Sequence, residues 1–350
     1  MRLISLIAHV AASNFGPCAR PYRIGLSVTD RCNLRCSSCG IWKTTDHNNE
    51  LTLDELRRIF AGIPFCSWLN LTGGEIFLRD DIAEILDAAA AIPSLYFLNF
   101  TTNGSMPEHT ERIVSDFLKK HPHVKLVMSV SLDGPQTVHD RLRGKNGAWE
   151  NATETYRRLR ALRNGNFSVY FGMTMQNENA DLYAETIAAA DAKIGSVSAR
   201  DVHVNFAHLS PNYYRNTDVT DGIFSPDASY IHGLVSARRL SPIKPFDIVE
   251  RIYLRLFGKY RTTGHCPLPC RACDVSCFID AKGIVYPCVG DGRIIGNLRE
   301  TGYDIMPLWH SAARRSIRKE IAHGHCPQCW TPCEAYQTIG GSLLKTLWTR

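Results

Sequence analysis

The chain has 350 residues, 44% of them hydrophobic, and 40 Lys and Arg against 34 Asp and Glu give a formal net charge of +6. That length exceeds the size at which one hydrophobic core stops growing, so a large domain with a smaller companion is expected. The basic surplus is too small and too dispersed for a nucleic-acid surface, and no run approaches the roughly 20 apolar residues of a membrane span. Thirteen cysteines, an odd number gathered mainly into two dense groups with C-x-x-C pairs, argue against a secreted disulfide framework and for metal clusters in a reducing compartment, so a cytoplasmic location is expected.

Residues 1–20 make an N-terminal segment. Its start, Met1 to Val10, carries one Arg and a short apolar run of Leu3, Ile4, Leu6 and Ile7. No cleavage region follows, and the segment reads as a short amphipathic helix that makes a weak contact with a membrane surface or with a partner. From Arg23 to Phe206, β-rich runs alternate with helical ones. Strands are predicted at Ile24–Thr29, Trp68–Thr72, Leu95–Thr101, Val124–Val130, Phe167–Met173 and Val202–Phe206. Helices are predicted near Leu53–Ala61, Asp80–Ala91, Glu108–Lys120, Trp149–Arg163 and Asp181–Ala192, the first announced by the capping box Thr52-Leu53-Asp54-Glu55. The strands read as nearly continuous apolar runs, which predicts burial on both faces. Six such units joined by right-handed crossovers predict an α/β fold, a partial (β/α)6 TIM-like barrel over residues 21–215. A bridging segment, 216–262, contains a helical run from Ile248 to Tyr260, and residues 263–350 read as a separate, small, cysteine-rich domain.

The C-terminal ends of barrel strands are where such folds carry chemistry, and four motifs fall there. After the first strand comes Cys32-x-x-x-Cys36-x-x-Cys39. After the second, third and fourth come Gly73-Gly74-Glu75, Thr102-Asn103-Gly104 and Ser131-Leu132-Asp133-Gly134. An iron–sulfur cubane is normally held by four thiolates, so three in one short loop leave one iron open to a ligand. A zinc site is the plain alternative, but this spacing does not match the paired zinc patterns, although His47 lies within reach of the same loop. Paired glycines let a backbone approach a ligand closely. Asn103 before a glycine also suits a simple turn.

The stretch from Asp30 to Cys39 resembles the cluster loop of the radical S-adenosylmethionine (SAM) enzymes. The resemblance implies a [4Fe-4S] cluster held by Cys32, Cys36 and Cys39, whose open iron takes exchangeable SAM. It implies that Gly73-Gly74-Glu75 binds the methionine ammonium and that Asn103 and Ser131 stand among the cofactor contacts. Arg143, from the stretch His139-Asp140-Arg141-Leu142-Arg143-Gly144, would pair bidentately with the cofactor carboxylate. Two positions depart from the family pattern. Ser38 stands where an aromatic residue usually packs near the adenine, and Ile76 stands where proline usually follows the glutamate.

The tail carries eight cysteines: Cys266, Cys270, Cys273, Cys277, Cys288, Cys326, Cys329 and Cys333. With Gly283-x-x-x-x-Cys288 and Cys326-x-x-Cys329, it resembles the auxiliary-cluster region called SPASM or Twitch. That likeness implies at least one auxiliary [4Fe-4S] cluster, using Cys270, Cys288 and two of Cys326, Cys329 and Cys333. Which of Cys266, Cys270, Cys273 and Cys277 opens the site stays undecided, and zinc held by the same residues is the alternative. Cys18 and Cys66 read as small buried hydrophobes. The implied activity is reductive cleavage of SAM to a 5′-deoxyadenosyl radical that abstracts hydrogen from a substrate. The auxiliary cluster would assist oxidation or substrate binding, in an oxidoreductase- or transferase-type enzyme served by a reducing partner such as flavodoxin or ferredoxin. With only about twenty residues before the first strand, a small molecule or an independently presented peptide is the expected substrate. His203 and Asn205, on one face of the last strand, and Tyr213 are candidate substrate contacts. Two rival readings stand beside this one: a non-catalytic iron–sulfur carrier or scaffold, which needs neither Gly73-Gly74-Glu75 nor Arg143, and an RNA- or ribosomal-peptide-modifying radical enzyme, for which a concentrated basic patch is lacking in the RNA case.

Overall fold

A computed structural model describes residues 2–218, 228–238 and 245–343; parts of the bridging segment, 219–227 and 239–244, lie outside the described residues. Six predicted strands form, as β1 (Arg23–Ser27), β2 (Trp68–Thr72), β3 (Phe97–Thr102), β4 (Lys125–Ser131), β5 (Phe167–Met175) and β6 (Val202–Phe206). The tail adds β7 (Ser276–Ile279), β8 (Ile284–Tyr286) and β9 (Gly296–Asn297). All belong to one sheet of order β6-β5-β4-β3-β2-β1-β7-β8-β9. Pairing is parallel from β6 through β1 to β7, then antiparallel through the β7–β8–β9 meander. The tail therefore extends the barrel's own sheet instead of starting another, with Arg23 to Leu26 in register with Ser276 to Ile279.

Helices α1 (Arg2–Ser13), α2 (Leu53–Gly62), α3 (Ile82–Ala90), α4 (Pro107–Lys120), α5 (Gln136–Arg143), α6 (Ala148–Ala161), α7 (Tyr183–Ile194), α8 (Ala228–Arg238), α9 (Pro245–Thr263), α10 (Met306–Trp309), α11 (Ala312–Ala322) and α12 (Pro332–Gly340) complete the described fold. The capping box of α2 forms, with Glu55 N donating to Thr52 Oγ1 at 3.3 Å and Thr52 N donating to Glu55 Oε2 at 2.8 Å. Helices α5, α8, α10, α11 and α12 were not expected. The first is only eight residues with two apolar positions, Val138 and Leu142, and the second has no apolar face of helical period.

One expectation about the strands needs correction. Burial in β5 alternates strictly between full and partial, and β6 does the same. One face packs under the helices, but the other lines a cavity, so polar residues such as Asn70, Asn99, Ser129 and Thr174 are accommodated there. Helix α1 docks on the opposite end of the sheet through Arg2 to Leu95 O (3.3 Å) and His9 to Ser67 Oγ (3.0 Å), leaving Leu3, Ile4 and Ile7 exposed. No described helix is long and apolar enough to cross a membrane.

Candidate functional site

The inner face of the open barrel encloses a cavity of about 320 Å³. Cys32, Cys36 and Cys39 line it from the loop after β1, where a bond from Cys39 N to Cys36 O (3.2 Å) keeps the loop tight. Burial pushes the Cys32 thiol up from its ordinary pKa and the Cys39 thiol up to about 12. Thiols in that condition bind as thiolates only when a cation replaces the lost water, which fits an iron cluster. His47 takes no part: its Nδ1 lies 2.9 Å from Glu50 Oε1, and it is not among the cavity residues.

The glycine pair is dictated by close backbone approach. A Cβ on Gly73 would stand 2.5 Å from Thr29 O, and one on Gly74 would stand 2.2 Å from Arg31 O. Through that gap Gly74 N donates to Thr29 O at 2.9 Å and Glu75 N to Arg31 O at 2.8 Å, joining the end of β2 to the cysteine loop. Glu75, expected beside a cofactor amine, is instead wholly buried and turned into the protein. Its carboxylate accepts from Asn103 N (2.6 Å), Thr102 Oγ1 (2.9 Å) and Phe77 N (3.2 Å), and it does not line the cavity. Burial raises its pKa to about 7. Asn103 does line the cavity while bonding Asn33 Oδ1 at 2.8 Å, a second tie to the cysteine loop.

Ser131, at the end of β4, opens onto the same space. Arg143, at the end of α5, pairs with Asp133 at 2.7 Å and reaches Cys36 Sγ at 3.7 Å. Asp133 accepts in turn from Thr174 N at 2.9 Å.

Across the cavity, β6 presents His203 and Asn205. His203 Nδ1 stands 3.5 Å from Glu250 Oε1, and Glu250 also pairs with buried Arg238 and with Tyr336 Oη. Burial pushes the Glu250 carboxyl up, but Arg238 and His203 outweigh it and hold it at about 2. His203 Nε2 and Asn205 Oδ1 are buried with no hydrogen-bond partner among the described residues. Tyr213 is committed differently: its hydroxyl meets Thr72 Oγ1 and donates to Gly73 O at 3.3 Å. Phe246 and Tyr336 also wall the cavity. They come from the bridge and the tail, and nothing local in either stretch marks them.

The tail thiols divide into two groups. Cys266 Sγ donates to Cys329 O at 2.9 Å, and Gln328 bonds both Cys266 N (2.9 Å) and Cys326 Sγ (3.4 Å). Cys288 is buried and Cys270 and Cys329 are half-buried, and burial first and then their neighbouring charges drive each thiol well above its ordinary pKa. Cys277 instead faces Cys273 and Cys66. Its strand explains this: in register with Ile24 it points to the helix side, while Phe278, the next residue, points toward Tyr213. Cys333, at the start of α12, lines the cavity itself.

A model of the radical SAM superfamily matches residues 26–190, and a model of the SPASM iron–sulfur cluster-binding domain matches residues 270–330. The AdoMet-dependent heme synthase of Methanosarcina barkeri is 26% identical over 333 residues, covering 88% of this chain and 88% of that protein. The GTP 3′,8-cyclase of Pelotomaculum thermopropionicum is 30% identical over 344 residues, covering 90% of this chain and 96% of that protein. In fold the chain is similar to Streptococcus suis SuiB, solved with S-adenosylmethionine bound, with a TM-score of 0.60 at 15% identity over 89% of this chain and 71% of that one.

Proposed function

We propose that this chain, which belongs to the radical SAM superfamily and carries a SPASM iron–sulfur cluster-binding domain, abstracts hydrogen from a small molecule or a single peptide side chain held in the barrel cavity. One observation carries this reading: a single cavity is walled by the three loop thiols, by the orphaned polar atoms of His203 and Asn205, and by Cys333 and Tyr336 of the tail. When bound, the reduced cluster and SAM supply a one-electron cleavage that yields a 5′-deoxyadenosyl radical.

The chain's own residues do the rest. Cys32, Cys36 and Cys39 hold the cluster, and Arg143, anchored by Asp133, stands where a cofactor carboxylate would meet it. Gly73, Asn103 and Ser131 shape the cofactor's side of the cavity. Glu75 acts on that side only indirectly, by tying the end of β2 to the turn after β3. His203, with Nδ1 directed at Glu250, turns Nε2 to the substrate. Cys270, Cys288 and Cys329, with Cys266 or Cys326, hold the auxiliary cluster. The domain division proposed with it is barrel 21–215, bridge 216–262 and auxiliary region 263–350, the first and last sharing one sheet. An external one-electron donor of the flavodoxin or ferredoxin kind is required. That both relatives named above are called by small molecules, heme and GTP, supports a small-molecule substrate.

Anaerobically reconstituted protein given SAM and dithionite should release 5′-deoxyadenosine and contain about eight irons per chain. Cys36→Ala should release none. Undiminished release from that variant would sink the reading.

A further inference from the structure

The position that usually supplies an aromatic neighbour for adenine holds Ser38 here, and the structure shows what stands beside it. Asn216 Nδ2 donates both to Ser38 O at 2.9 Å and to His208 O at 3.1 Å, so the cysteine loop and the residues after β6 meet at this corner. Ser38 and His208 both line the cavity. The Tyr214 ring stands edge-on to the imidazole, with centroids 5.2 Å apart, and Tyr214 O accepts from Gly40 N at 2.7 Å, which fixes that ring to the cysteine loop.

The tautomer of His208 follows from its partners. Nδ1 lies 3.4 Å from Phe206 O, which can only accept, so Nδ1 carries the proton. Nε2 is then an acceptor, and it is buried without a partner among the described residues. Burial also holds the ring neutral, with a pKa of about 4. The ring nitrogens that adenine presents to a pocket are acceptors, and only its exocyclic amine donates. We propose that His208 selects the base of the cofactor by accepting a hydrogen bond from the adenine amine at Nε2, in the corner that Ser38 leaves open. The proposal rests on the SAM reading above and adds to it a residue that determines base specificity.

The test compares binding to the reconstituted, cluster-loaded protein of three probes: SAM, its hypoxanthine analogue with a carbonyl in place of the amine, and L-methionine. Wild type should prefer SAM over the analogue by about tenfold, the worth of one neutral hydrogen bond. His208→Phe should bring that ratio near one and leave methionine affinity unchanged, while His208→Gln, which retains an acceptor oxygen, should keep most of the preference. Equal affinity of the wild type for the two bases overturns the proposal without any variant, and so does a folded His208→Phe that keeps the full preference. A wild type that binds neither SAM nor methionine overturns the SAM reading as well.

Discussion

Replacing Gly74 by alanine tests whether the cysteine loop is held by backbone contact. The added Cβ would sit 2.2 Å from Arg31 O, 2.6 Å from Arg31 C and 3.0 Å from Asp30 O. The closest of these is short of a normal contact by roughly 1 Å, and all three atoms are main chain, so no side-chain rotation relieves it. The loop must move away from β2, which weakens the bonds from Gly74 N to Thr29 O (2.9 Å) and from Glu75 N to Arg31 O (2.8 Å). Overpacking plus one or two damaged hydrogen bonds comes to about 2–4 kcal/mol, or a fall of roughly 5 °C in Tm for a chain of this size. Because Arg31 immediately precedes Cys32, iron at the loop should fall too. Thermal scans and iron quantitation on anaerobically prepared protein give both readouts. Gly165→Ala is the control: a Cβ there meets nothing within 4 Å, so stability should stay within about 0.5 kcal/mol. A Gly74→Ala protein with unchanged Tm and full iron would refute the cradle.

Asp133→Ala should cost about 3–5 kcal/mol in urea unfolding, because it leaves the Arg143 guanidinium buried without its carboxylate; a loss under 1 kcal/mol would show that solvent reaches the pair. His139 Nδ1 accepts from Asp133 N at 2.9 Å, and burial, with Arg143 nearby, lowers its pKa to about 2. The unfolded imidazole takes a proton below about pH 6.5 while the folded one does not, so this group contributes a loss of about 1.4 kcal/mol for each pH unit below that value and nothing above it. His139→Asn, which keeps an acceptor, should remove that slope between pH 6.5 and 5.5; an unchanged slope would mean that His139 protonates in the fold. In the tail, Cys270→Ala or Cys288→Ala should lose about four irons, whereas Cys273→Ala and Cys277→Ala should keep the full count. Equal losses from all four would show that the two thiol groups act as one.

The cysteine loop was legible because three thiols within eight residues meet whatever the rest of the chain does, and the alternating β and α runs announced the barrel that carries them. The glycine pair was legible as a close approach, but its partner was not, since Arg31 O reaches Gly74 only when β1 and β2 pair. Glu75 misled for the same reason: an acid at a strand end looks solvent-facing until three donors from β3 and its own turn enclose it. Sequence by itself determined the fold class, the loop thiols and the presence of a second cysteine group, because spacing and periodicity are local properties. Tertiary structure alone decided which thiols share a pocket, since parallel pairing of β7 with β1 turns Cys277 toward Ile24 and Cys66 and away from the cavity. It likewise decided that Asn216 links His208 to Ser38 and that Glu250 stands beside His203, because contacts between residues far apart in the chain exist only once the sheet has set its strand order.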